Sequence, residues 1–213
     1  MLISLKSILN YTINATDGMI GRIRDIYFYD DSWFVKFFVV EIGTIFRSHK
    51  VLIPPAQSDR VDHMEKTVNV ELNKDDIRQS PKAILHKPVS VALKEQFTAY
   101  NKKLHLRGYH GATVDNIVSF PSFQTDPNLR SVREVIGYHV QSFSGPAGRL
   151  LDLSAYEEGW NIRYLVIGIN RFFHNRKVMI APQMAQRIIW EGKRIEIEAG
   201  SDEIYNSPER DNN

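Results

Sequence analysis

The feature that most constrains this chain is an internal repeat. Residues 2–81 align with residues 129–208 at a constant offset of 127, without a gap, and 23 of the 80 aligned pairs are identical. Such self-similarity indicates one structural unit that occurs twice. We therefore expect two domains of the same fold, at 2–81 and 129–208. Identical pairs include Gly18/Gly145, Gly21/Gly148, Arg22/Arg149, Asp25/Asp152, Trp33/Trp160, Lys50/Lys177 and Pro55/Pro182.

Short apolar and β-branched segments separated by turn residues predict a mainly β fold for each repeat. The predicted strands of the first copy cover residues 11–15, 19–29, 33–42, 51–53 and 68–72. Asp17-Gly18 supplies a turn between the first two of them. Short strands at this spacing, with a glycine pair that permits bulges, favour a small closed β-barrel over a sandwich. We expect two tandem barrels of this kind.

The connector between the repeats, residues 82–128, differs in composition from both. It has 6 basic and 3 acidic residues, whereas residues 2–81 have 10 and 11. Ser90 can cap a helix near 91–104, which we expect to lie on a barrel. We expect the remainder of the connector to be a partly packed linker and residues 209–213 to be a disordered tail. The helix is predicted from apolar residues four, three and four positions apart: Leu93, Phe97, Tyr100 and Leu104.

The compartment is predicted from what the sequence lacks. There is no cysteine, which excludes disulfides, thiolate metal sites and a cysteine nucleophile. Residues 1–10 lack the charged and apolar regions of a signal peptide. The longest apolar run, residues 37–40, is too short to cross a bilayer. We expect a cytoplasmic protein with no membrane insertion.

One pattern of glycine, aspartate, tryptophan and apolar runs occurs in both copies. In the first copy it consists of Gly18, Gly21, Ile23, Asp25, Trp33, the run 38–40 and the run 50–54; in the second it consists of Gly145, Gly148, Leu150, Asp152, Trp160, the run 164–167 and the run 177–180. This pattern resembles the PRC-barrel family, which is named from the cytoplasmic domain of the photosynthetic reaction-centre H subunit. The resemblance covers about 160 residues. It implies two PRC-type barrels that dock to other macromolecules, as in bacterial tandem members of the family, without implying an activity.

A search for chemistry finds no catalytic or cofactor motif. The spacing of the seven histidines suits no metal, with His105 and His110 the nearest pair. The acidic pairs 30–31 and 157–158 recur in both copies, and we expect them to be solvated turn residues rather than a carboxylate dyad. The repeated pairs Arg22/Arg149 and Asp25/Asp152 are expected to tie a neighbouring strand or turn, a role in the fold that both copies share. We therefore predict no catalytic residue, no metal, no cofactor and no enzymatic activity.

The predicted partner-binding residues lie in a loop that follows the long strand of each copy. Interleaved aromatic and basic residues can anchor a protein interface or stack on bases. The alternative is that Phe46 and Phe173 plug a barrel end while the cations are merely solvated. The candidates are Phe46 and Arg47 in the first copy, and Arg171, Phe172, Phe173, His174 and Arg176 in the second.

The sequence favours a protein-interaction or assembly module over two rivals. The partner would be another protein or a second copy of the chain. The first rival is RNA or ribosome association through the basic connector and the aromatic-basic loops, which is less favoured because neither half is strongly basic. The second is an enzyme with a site between the barrels. Trp33 and Trp160 are expected to serve the fold.

Overall fold

The computed structural model describes residues 1–44, 46–83, 128–171 and 174–210, and these form a mainly β protein. The helix predicted near 91–104 and the rest of the connector from 84 to 127 lie outside the described residues. None of the helices in the described part of the chain has the length and apolarity that crossing a bilayer requires.

The first copy contains seven strands and one short helix. A 3-10 turn, Pro55–Gln57, follows the fifth strand. The elements are β1 (Leu2–Ser4), β2 (Thr12–Ala15), β3 (Gly18–Tyr29), β4 (Phe34–Thr44), β5 (Arg47–Ile53), β6 (Ser58–Asp62), β7 (Thr67–Val70) and α1 (Lys74–Arg78).

The second copy repeats these elements at the offset of 127, with one added helical turn. The match extends to backbone conformation, since Trp33 and Trp160 both have a φ of 54°. The elements are β8 (Leu129–Ser131), α2 (Val132–Val135), β9 (His139–Ser142), β10 (Gly145–Tyr156), β11 (Ile162–Arg171), β12 (His174–Ile180), β13 (Ala185–Ile189), β14 (Arg194–Ile197) and α3 (Ser201–Tyr205).

The strands form two seven-stranded sheets with the same order. Six strands of one sheet run β5-β4-β3-β2-β7-β6, and β8 is its seventh strand. Six strands of the other run β12-β11-β10-β9-β14-β13, and β1 is its seventh strand. The pairs β2–β7 and β9–β14 are parallel, whereas the hairpin pairs are antiparallel. Among the described residues the two end strands of each order do not pair with each other, so strand pairing closes neither sheet into the expected barrel.

The first strand of each copy lies outside the sheet of its own copy. β1 pairs with β10, and β8 pairs with β3. The chain accordingly divides into two discontinuous compact units. The C-terminal unit comprises residues 1–7, 29–34 and the described residues from 130 onward; the N-terminal unit comprises residues 8–28 and the described residues of 35–129. The sequence assigned 2–81 to one domain, and nothing in it indicated this exchange.

Asp152 is the residue that fastens β1 to the C-terminal unit. Its carboxylate is buried and accepts hydrogen bonds from the Ser4 hydroxyl and, at 3.0 Å, from the Lys6 backbone N–H. The Leu5 N–H donates to the Leu153 carbonyl at 2.8 Å, which extends the pairing of β1 with β10. The expectation that the repeated aspartate ties a neighbouring strand is confirmed for Asp152.

The same carboxylate fastens the end of the described chain. Arg210 Nη1 lies 2.6 Å from Asp152 Oδ2, and the Arg210 N–H donates to the Lys177 carbonyl. Glu209 forms a β-bridge with Val178. The predicted disordered tail is therefore wrong for Glu209 and Arg210, because a buried acid and a strand edge both hold them. Residues 211–213 lie outside the described residues.

The two tryptophans that recur in the repeat are buried, as expected for residues that serve the fold. Trp33 and Trp160 are only 6% and 4% exposed. Each occupies the left-handed region of backbone conformation, which is uncommon for a residue other than glycine. Because the conformation and the burial recur at equivalent positions, the turn before the long strand depends on this side chain in both copies.

The acidic pair in this turn differs from the prediction. Asp30 was expected to be solvated, but its side chain is 12% exposed and pairs with Arg130 Nε at 2.6 Å within the C-terminal unit. Burial raises the pKa of Asp30 above its ordinary value, against the opposing effect of the Arg130 charge. Asp31 is exposed and accepts a hydrogen bond from the Ser32 N–H, as turn aspartates commonly do.

Replacement of Asp152 by Ala is expected to lower the free energy of unfolding by about 2–4 kcal/mol, because it removes a buried carboxylate that binds the Ser4 hydroxyl, the Lys6 backbone N–H and the Arg210 guanidinium. Urea unfolding measures this loss. Hydrogen exchange should also become faster at the Leu5 amide. The matched control is Glu158→Ala at an exposed position in the turn that follows β10, where a change within about 0.5 kcal/mol is expected. Equal stability of the two variants would contradict the role given to Asp152.

Gln57 provides a second test of the fold. Its side chain is buried, and neither amide atom has a hydrogen-bond partner among the described residues. The equivalent residue of the second copy is Met184. Gln57→Met should raise the free energy of unfolding by about 1–2 kcal/mol, since it removes a buried unsatisfied amide at nearly constant volume. A thermal melt that shows no gain in the variant would contradict this.

Candidate functional site

The aromatic-basic segments are not loops, as the sequence predicted, but the ends of two long hairpins. In the first copy β4 and β5 pair from Phe38↔Ile53 to Thr44↔Arg47. In the second copy the pairing continues to Arg171↔His174. Backbone pairing therefore extends through polar residues, with only two residues left to connect each pair of strands.

Phe46 stands in the connection between β4 and β5 and is 94% exposed. The alternative in which Phe46 plugs a barrel end is therefore wrong. Arg47 is exposed beside it, and His49 is exposed two residues further along β5. No ion pair joins Arg47 or His49 to a described residue. The tip of the first hairpin is thus an aromatic side chain beside the Arg47 cation and near the His49 imidazole, all available to a partner.

The second hairpin is only partly described. Arg171 and His174 are placed by their backbones at the ends of β11 and β12, whereas Phe172 and Phe173 lie outside the described residues. Arg176 has a position that the sequence did not indicate. Its guanidinium lies 4.8 Å from the ring centroid of Tyr205 and pairs with Glu209.

These contacts give Arg176 a structural role that competes with partner binding. The hydrogen bond to the Glu209 carboxylate raises the pKa of Arg176 above its ordinary value. Because Tyr205 is the last residue of α3 and Glu209 lies next to the end of the described chain, Arg176 holds that end against β12. A variant at Arg176 would therefore disturb this attachment as well as any interface.

A concavity of 670 Å³ lies beside the first hairpin in the N-terminal unit. Its floor is the start of β3, and its wall is the outer part of β4 and β5. Thr44 and Ser48, which are two residues before and after Phe46, both line it. The lining residues with charged or apolar side chains are Met19, Ile20, Arg22, Arg24 and Glu41.

Arg24 and Glu41 form a fixed pair inside this concavity. Arg24 Nε donates to Glu41 Oε2 at 2.8 Å, and Arg24 Nη1 donates to Asn10 Oδ1 at 2.9 Å. The hydrogen bond from Arg24 lowers the pKa of Glu41 below its ordinary value, so Glu41 is ionised at neutral pH. The pair therefore presents a nearly neutral, oriented surface.

Arg22 contrasts with this pair. Its side chain is exposed, and it has neither an ion-pair nor a hydrogen-bond partner within the described residues. An unpaired guanidinium in a concave site is suited to bind a carboxylate or a phosphate through two parallel hydrogen bonds. The sequence had assigned this repeated arginine a shared role in the fold.

A smaller concavity of 400 Å³ occupies the equivalent place in the C-terminal unit. Here Leu151 and Gly168 stand where the first copy has Arg24 and Glu41. The Leu151 side chain fills the space where a Cβ of residue 168 would lie. Arg149 donates from Nη1 to the Gly137 carbonyl at 3.2 Å. The arginine of the second concavity therefore already donates to a backbone carbonyl, whereas Arg22 of the first has no described partner.

Sequence reasoning missed three exposed apolar side chains near the ends of strands. Met19 is 64% exposed, and Phe143 and Trp190 are also exposed in the C-terminal unit. A Cβ added to Gly200 would lie 3.3 Å from the Phe143 ring, so this ring packs against the Gly200 backbone. No periodicity marks such residues, since each stands alone beside a turn. Only the residue type, apolar where polar residues are usual, could have drawn attention to them.

Comparison of the chain with models of protein families and with curated proteins finds no match. Within the described ranges, no group of three histidine, aspartate or glutamate side chains is arranged to hold a metal ion.

Gly21→Ala is expected to lower the free energy of unfolding by about 1–3 kcal/mol, as overpacking typically does. The reason is that a Cβ at residue 21 would lie 2.4 Å from the Glu41 carbonyl oxygen, where β3 meets β4 under the concavity. Gly192→Ala is the matched control, because its Cβ would meet only the flexible Arg194 side chain, at 3.4 Å. A melting temperature that is unchanged by Gly21→Ala would show that the strands can separate.

Proposed function

We propose that this chain is a non-catalytic, cytosolic protein-interaction module in which each unit is a barrel of PRC type. The β4–β5 hairpin of the N-terminal unit contacts the partner. The observation that carries the proposal is the exposure of Phe46, which is 94% accessible at the tip of a rigidly paired hairpin. A large aromatic side chain in this position loses little conformational freedom on binding and can fill a pocket of a partner.

The residues around Phe46 support the same role. Arg47 is exposed beside Phe46, and arginine is a residue type enriched at binding hot spots. Exposed Met19 adds apolar surface that adapts to different shapes. The repeat also supports it, because the two units share a backbone while their exposed side chains differ. A module that presents one scaffold twice can vary its contact residues without altering its core.

RNA association is the second candidate, and it is favoured by the basic side chains in and beside the first hairpin. Arg47 and His49 of β5 and Arg22 of β3 have no acidic partner among the described residues. Aromatic side chains beside cations also bind single-stranded RNA by stacking. Protein is preferred because Glu41 lies among these cations, and a carboxylate opposes a run of phosphates.

Photo-cross-linking tests the proposal. The photoreactive analogue p-benzoylphenylalanine replaces Phe46 in the full chain, which is then irradiated in cells that naturally make the protein. We expect discrete protein adducts that survive nuclease treatment. The mass of an adduct distinguishes a second copy of this chain from another protein.

The matched control places the same analogue at Met64, which is 92% exposed in the turn between β6 and β7. Adducts at position 46 alone support a partner at the hairpin. Adducts of equal yield at both positions would mean random collision and would contradict the proposal. Adducts that disappear with nuclease, together with binding that falls steeply with salt, would establish the RNA alternative instead.

A further inference from the structure

The two concavities differ in their charged side chains although they share a backbone. The N-terminal one contains Arg22, Arg24 and Glu41, and the C-terminal one contains Arg149 as its only charged lining residue among the described side chains. Since the strands that form both sites are equivalent, the added charges are not needed to build the fold. They indicate that the N-terminal concavity receives a charged group.

The hydrogen bonds show which charge is left over. Arg149 spends a donor on the Gly137 carbonyl. At the equivalent place in the N-terminal unit, Arg24 takes over this task and bonds to the side chain of Asn10. Arg22 is thereby released, and Glu41 compensates the charge of Arg24. Each concavity thus has one arginine whose charge no carboxylate compensates, but only Arg22 keeps its guanidinium donors free of described partners, so it can receive one anionic group.

A single cation beside a fixed carboxylate suits a peptide carboxylate better than a nucleic-acid backbone. A chain of phosphates would bring several negative charges near Glu41, which is held ionised by Arg24. A peptide can place one acidic side chain on Arg22 and keep its neighbours apolar. Met19 lines the concavity, and Phe46 lies between its lining residues Thr44 and Ser48 in the chain. Both apolar side chains are largely exposed and suit such neighbours.

We propose that the N-terminal concavity binds an acidic segment of the protein partner, with one carboxylate on Arg22 and an adjacent apolar side chain against Met19 and Phe46. This inference rests on the proposed function and specifies the chemistry of the partner. The Arg24–Glu41 pair positions the site, because it occupies the second guanidinium and prevents a second anion from entering.

The test uses a fluorescein-labelled, C-terminally amidated decapeptide with one central glutamate flanked by leucines and with serine elsewhere, titrated with the full chain and followed by fluorescence anisotropy. We expect saturable binding, and no binding of the matching peptide in which glutamine replaces the glutamate. Arg22→Gln should weaken the affinity about tenfold, the effect of losing one charge-assisted contact. Glu41→Gln should strengthen the affinity about threefold or more, since it removes a like charge from the site.

The opposite signs of these two effects separate a binding role from a structural one, because a variant that only damages the fold weakens binding in both cases. Arg22→Lys, which keeps the charge, should retain most of the affinity. Arg149→Gln in the other unit is the control and should leave the affinity unchanged. Weaker binding by Glu41→Gln, or an equal loss with Arg149→Gln, would overturn the inference.

Competition identifies the class of ligand. A ten-nucleotide oligouridylate that displaces the acidic peptide, and binds more tightly in an Arg22-dependent way, would make the site a phosphate site and overturn the inference. Cross-links at position 46 without peptide binding would remove this site but leave the proposed function intact. Absence of both would remove both proposals.

Discussion

The buried carboxylate of Asp152 is the interaction on which the C-terminal unit depends. It joins three parts of the chain, namely β10, the strand that begins near Leu2, and the segment that ends at Arg210. The hydrogen bond from Ser4 spans 148 positions of sequence. A buried charge is stable only when hydrogen bonds and an opposite charge compensate its lost hydration, and here both the first and the last described segments supply them.

The comparison of the two copies separates what the fold requires from what it permits. Gly21 and Gly148 both bring a strand so close to its neighbour that a Cβ would meet a carbonyl oxygen at 2.4 Å, so a side chain at either position would force the strands apart. The side chains above them are less constrained: Arg24 faces Glu41 in one unit, and Leu151 lies against Gly168 in the other. The concave sites therefore diverged while the strands beneath them did not.

Local patterns in the sequence predicted the central strands well, because alternation of apolar residues records which face of a strand is buried. They could not predict β1, since three residues carry little pattern and their pairing partner is far along the chain. The hairpin ends were taken for loops because Arg47, Ser48 and His49 are polar, although backbone pairing alone keeps them in β5. Residue type marked Phe46 as a candidate, and its side chain is exposed between β4 and β5. Residue type did not indicate the ion pair between Arg176 and Glu209, because Glu209 was predicted to be disordered.

The exchange of first strands also has a consequence for synthesis on the ribosome. Leu2–Ser4 leaves the ribosome about 150 residues before the strand that receives it, a delay on the order of 10–30 s at typical elongation rates. Ile3 and Leu5, which are buried in the finished protein, stay exposed for that time. Neither repeat can be completed from its own residues alone, so translation halted between the copies would release a chain whose first strand still lacks its acceptor.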